Sequence, residues 1–166
     1  MHPVMIMVLF GCCGLSAMAQ MQAGVARVSI TPLEENIPTQ LGGYGAREGK
    51  PAEGVLDTLY AKVLILQLDN NKAAVISMDT CSVPVNLVEE VLAEAGIDGL
   101  SIDTTLMCAS HSHTGLEGFA LDRRNIAGNP NIGIFSEEML NFVVKRVAGA
   151  LREASANMQP VKAASG

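Results

Sequence analysis

A change of hydrophobic rhythm constrains the fold of this chain more than any single residue does. Leu59 to Leu68 (LYAKVLILQL) and Ala73 to Met78 (AAVISM) are short aliphatic runs joined by Asp69-Asn70-Asn71-Lys72. Residues that tolerate positive φ, placed between two strand-like runs, make a hairpin. Val83 to Ala95 (VPVNLVEEVLAEA) then switches to helical spacing, with Val85, Val88, Leu92 and Ala95 on one face. Pro84 sits in its first turn, where a missing N–H costs nothing, and Gly96 is a natural C-cap. Asp103 to Ala109 (DTTLMCA) returns to strand character. A helix crossing between two strands implies an α/β fold, a layered mixed sheet with helices packed on it and part of the sheet parallel.

The flanking segments fit the same plan. Ala23 to Ile30 reads as a strand that turns at Thr31-Pro32. Residues 31–57 hold three prolines and the Leu41-Gly42-Gly43-Tyr44-Gly45 cluster, a loop long enough to suggest a functional role. A second loop, 114–134, is rich in glycine. Ser136 caps a long helix from Glu137 to Ala156 whose apolar face is Phe142, Val143, Val147, Ala150 and Leu151. Val161 to Ala164 reads as the opening of a further strand cut off at Gly166, so the sheet is expected to be an incomplete part of a larger domain.

Residues 1–20 read as a signal peptide, leaving 21–166 as the folded portion. The stretch is apolar and too short for a membrane span, and Ala17-Met18-Ala19 is an A-x-A cleavage pattern. No Lys or Arg precedes the apolar run, which is atypical of an export signal. A lipoprotein reading through Cys12 competes, but Phe10 is bulky for a lipobox in Leu9-Phe10-Gly11-Cys12. Export places the protein in a secreted or periplasmic setting, where Cys81 and Cys108 could pair. The simpler expectation is two separate buried thiols. The net charge is −6 with 11 basic residues, and Arg123-Arg124 is the one adjacent basic pair, which argues against a nucleic-acid partner. No later run could span a membrane, which leaves contact at a membrane surface open.

Of three histidines, His2 lies in the signal stretch, and the other two stand together as His111-Ser112-His113. In a strand, residues i and i+2 share a face with Cα atoms about 6.6 Å apart. Two imidazoles so placed can converge on one metal ion, and imidazole suits zinc. The pair follows a strand end and precedes a glycine-rich loop, the usual ligand-binding end of an α/β sheet. Two ligands are half of a tetrahedral shell. Asp79, Asp122, Glu117, Asp57 and Tyr44 are the candidates for more. Asp79 closes AAVISM and shares an edge with His111 if the strands are parallel neighbours, although a loop-stabilising carboxylate is the plainer reading. No nucleophile elbow, phosphate loop or dinucleotide fingerprint is present.

These segments resemble, in order, the N-terminal portion of the neutral/alkaline (non-lysosomal) ceramidases. AGVARVSITP is similar to the family's opening strand, LGGYGAREG to its A-G-Y-G-x-R loop, and LYAKVLIL to the strand that follows. AAVISMDTC is similar to its V-x-V-S-x-D strand end, and TTLMCASHSHTGLEGF to the segment ending T-H-T-H-S-G-P-G. The resemblance implies a zinc-dependent amidohydrolase that cleaves the N-acyl linkage of ceramide to sphingosine and fatty acid. His111 and His113 match the H-x-H zinc pair. The family's third histidine, its zinc-binding glutamate and tyrosine, and its serine nucleophile lie further along a longer chain and have no counterpart here. The catalytic residues of this chain are therefore unknown, and alone it is expected to bind metal weakly and to turn over little substrate. Leu116-Glu117 stand where the family has proline, which puts a carboxylate at the rim and leaves ceramide itself open. Two other readings stay open: an exported non-catalytic domain that binds a lipid or a partner, and a metal-dependent hydrolase of another amide or ester.

Overall fold

The computed structural model describes residues 20–164, so the expected signal peptide and the Cys12 lipobox lie outside the described residues, Gln20 excepted. Seven regular elements follow: β1 (Gln22–Ser29), β2 (Tyr60–Leu68), β3 (Asn71–Met78), α1 (Val85–Ala95), β4 (Thr105–Ala109), α2 (Glu137–Ala156) and β5 (Gln159–Pro160). The strands form one sheet in the order β4-β3-β2-β1-β5. β3 and β4 run parallel, and the other neighbours antiparallel. This is the mixed, helix-layered α/β sheet that the change of rhythm calls for.

The β2–β3 hairpin closes through Asp69 and Asn70, with Leu68 opposite Asn71. Asp69 takes the left-handed backbone that the turn requires, at φ +53°. Alternation along the strands sends Ala61, Val63, Ile65, Ala74, Ile76 and Met78 to one buried face. Both helices cover that face, and α2 lies across β1 and against α1. Burying this much aliphatic surface is the main term holding the unit together. Ser136 Oγ accepts the Met139 N–H at 3.3 Å and starts α2 where its capping residue places it. The expected apolar face of α2 is buried throughout.

Three expectations shift. The buried stripe of α1 is Leu87, Val91 and Ala95, whereas Val85 is 51% exposed and Val88 and Leu92 are half-buried. The helix carries aliphatic residues almost all the way round, so spacing alone leaves its inward face open. Pro84 caps α1 instead of entering its first turn. The last strand is the two-residue β5, paired antiparallel with the start of β1; Val161 adds one N–H to the Met21 carbonyl, and residues 161–164 are not strand.

The opposite sheet face carries Val25, at 62% exposed, and Leu106, at 61%, with Val75 between them. No helix among the described residues is long and apolar enough to cross a membrane.

Candidate metal centre

The site is built where β3 and β4 end side by side. After Met78 and Ala109 the two chains stay zipped: Ser110 N–H bonds the Met78 carbonyl at 2.9 Å, and Ser112 N–H bonds the Thr80 carbonyl at 3.1 Å. Leu116 then lies between two other segments. It pairs with Leu41 on one side and Thr80 on the other, and its carbonyl takes the Cys81 N–H at 2.9 Å. Gly42 N–H bonds the Gly115 carbonyl, and Glu117 N–H bonds the Gln40 carbonyl. Three loops distant in sequence are thereby laced into one platform.

His111 and His113 stand on this platform, both exposed. The strand stops at Ala109, so alternation along a strand does not bring them together. His111 instead sits in the left-handed region at φ +58°, a position that costs a non-glycine residue energy and that concentrates at functional sites. The turn aims the two Nε2 atoms at each other, 3.4 Å apart. Two nitrogens bound to one tetrahedral ion at about 2.0–2.1 Å stand about 3.3–3.4 Å apart. His111 Nδ1 lies 2.7 Å from the Cys81 carbonyl oxygen, to which an Nδ1–H donates. That tautomer leaves Nε2 with a free lone pair, the arrangement metal-binding histidines use.

Cys81 supplies a third donor. Its sulfur and the two imidazole nitrogens all lie within 4.8 Å of one another. Burial raises the Cys81 thiol above its ordinary range, and the nearby Glu117 carboxylate adds to this. A set of two imidazoles and a sulfur fits zinc. Cys81 and Cys108 are both free thiols, and Cys108 points its sulfur at the Ile76 carbonyl.

Of the expected extra ligands, three carboxylates are engaged by other groups. Asp79 Oδ2 accepts the Tyr60 N–H at 3.0 Å and stabilises the loop. Asp122 is clasped by Arg124, whose hydrogen bonds hold its carboxyl below the usual range. Asp57 is exposed in the 31–57 loop. Tyr44 approaches His113 edge-on, with ring centroids 6.0 Å apart. Glu117 is 6% exposed and accepts Gly43 N–H at 3.0 Å and Phe119 N–H at 3.2 Å. Its carboxylate therefore faces into the platform and not onto a substrate rim. The five ion pairs among the described residues leave Glu117 without a cationic partner.

Two features went unread in the sequence. Gly42 and Gly43 line the site: a Cβ on Gly42 would stand 2.2 Å from the Cys81 Cβ, and one on Gly43 would stand 2.3 Å from His113 Cε1 and Nδ1. The sequence reads Cys81 as a buried thiol or a disulfide partner, whereas its place just beyond Asp79 at a parallel strand end puts it beside the histidines. Beyond Thr114, a groove of about 320 Å³ runs between Leu33, Leu41, Val55 and Leu56.

No family model and no curated protein matches the chain. Its fold is shared by solved structures. A neutral ceramidase from Pseudomonas aeruginosa superposes with a TM-score of 0.66 at 21% identity, over 86% of this chain and 22% of that one. A ceramidase complexed with C2 superposes with a TM-score of 0.65 at 22% identity, over 86% and 22%. The chain thus spans about a fifth of the length of the solved ceramidases it matches.

Proposed function

We infer that this chain is the N-terminal, metal-holding portion of a zinc-dependent amidohydrolase that cleaves the N-acyl linkage of a ceramide-like lipid. One observation carries the reading: two imidazole Nε2 atoms held 3.4 Å apart at the end of a parallel strand pair, on a fold shared with ceramidases. His111 and His113 would hold the metal. Zinc bound there would polarise a water or the amide carbonyl and stabilise developing negative charge.

The chain's own residues do the positioning. The Cys81 carbonyl fixes the His111 ring and its tautomer. Gly43 lets the backbone approach the His113 ring, and Glu117 anchors that backbone by accepting its N–H. Both histidines remain open to solvent, so a substrate carbonyl can reach them, and the groove beyond Thr114 offers apolar walls to an aliphatic chain. The family resemblance puts the nucleophile and further metal ligands on a longer chain, so little turnover is expected from this chain alone. Export through residues 1–20 to a secreted or periplasmic setting completes the reading.

The test is zinc content together with hydrolysis of an N-acylsphingosine by the purified chain. Bound zinc with no turnover is expected. Robust turnover by this chain alone would overturn the need for outside residues, and absence of bound zinc would overturn the metal role.

A further inference from the structure

We propose that Cys81 is a third metal ligand supplied by this chain, its thiolate joining His111 and His113 at one ion. The inference rests on the reading of the histidine pair as a metal site and deepens it. A two-histidine pair holds zinc weakly, whereas three protein ligands and one open position are the usual shell of a hydrolytic zinc centre.

Three observations point to the sulfur. First, the Cys81 sulfur is the one non-histidine donor that clusters with both imidazole nitrogens among the described residues. Its bound of 4.8 Å is wider than the about 3.5–3.6 Å that tetrahedral coordination sets between sulfur and nitrogen. Binding an ion would draw the donors together to that spacing. Second, Cys81 and His111 are already one unit, because the Cys81 carbonyl accepts from His111 Nδ1 at 2.7 Å. That bond fixes the Cys81 backbone beside the His111 ring, as outer hydrogen bonds do for metal-binding histidines. Third, the Glu117 carboxylate is buried next to the site, accepts the Gly43 and Phe119 N–H groups and has no ion-pair partner among the described residues. A cation held at the three donors would place an opposite charge near it. The carboxylates at Asp79 and Asp122 are satisfied by Tyr60 N–H and Arg124, and no carboxylate among the described residues clusters with the two imidazoles.

Cobalt(II) titration of the purified chain tests this, since a thiolate ligand gives cobalt an intense near-ultraviolet charge-transfer absorption. One equivalent should bind with that absorption. In Cys81→Ser the band should vanish and affinity should fall by more than about 10-fold, while His111→Ala removes binding more completely. Alkylation is a second readout that needs no folded variant: zinc should protect the Cys81 thiol of the native chain and leave Cys108 reactive as before. Binding without the band, unchanged in Cys81→Ser, or a Cys81 thiol that zinc does not protect, overturns the sulfur ligand and leaves the histidine pair standing. No cobalt bound by the native chain overturns the histidine pair as well.

Discussion

The two ends of strand β3 are built on different principles. At its start, β3 is joined to β2 by the adjacent Asp69 and Asn70, with one longer tie from Lys72 Nζ to the Asp98 carbonyl. At its finish, β3 runs into a platform laced from the 40–43, 79–82 and 110–118 segments. The Gln40 side chain bonds the Ile134 backbone 94 residues away, and His111 bonds Cys81 across 30. The hairpin end could be rebuilt from its own few residues. The far end exists only when the whole sheet has formed, and His111, His113 and Cys81 sit there. A site that takes donors from two strand ends and its walls from a third loop is precise because distant segments constrain one another.

The sharpest way to break the comparison is to remove a donor. His111→Ala should weaken zinc or cobalt affinity by more than the roughly 100-fold that a lost supporting hydrogen bond costs. The thermal midpoint should barely move without metal, because the ring is exposed. Metal titration and a melting curve on one sample separate the two effects.

Crowding the platform comes next. A Cβ at Gly118 would stand 2.0 Å from Ser82 Oγ and 2.5 Å from the Ser82 carbonyl oxygen. Gly118→Ala should cost about 1–3 kcal/mol in denaturant unfolding. Because the same loops carry the donors, metal affinity should fall with it.

The hairpin end should behave otherwise. Asp69→Val forces a β-branched residue into φ +53° and should cost about 1–2 kcal/mol of stability. Metal affinity should match the native chain. A loss of affinity there would mean that the two ends are not independent.

The smallest effect concerns pH. Arg124 holds the Asp122 carboxyl below its usual range, and Arg123 does the same for Glu90. Both are depressed in the folded state, so their contribution is fully present above the unfolded carboxylate range near about pH 4. It is lost as pH falls through the lower folded values. Asp122→Asn should flatten the acid limb of stability against pH and leave the neutral limb unchanged.

The same contrast explains what could be read from the chain. The hairpin, both helices and the parallel β3–β4 pair follow from local rhythm and capping, and Ser136 places the start of α2 to the residue. The inward face of α1 was not legible, because Leu87-Val91 and Val88-Leu92 are equivalent stripes until a sheet selects one. The histidine pair was legible as a motif, but the reason for its convergence was not. Alternation along a strand would set the rings side by side, whereas a left-handed turn at His111 does the aiming. Cys81 and the two glycines could not be found from spacing, since only the fold brings residues 42, 43, 81 and 113 together.

The central claim is a metal centre at the finish of β3 and β4. Zinc equivalents after dialysis, measured on the native chain and on His113→Ala at matched concentration, test it most directly. One equivalent on the native chain and none above background on the variant is the predicted result. Equal zinc on both, or none on either, would contradict it.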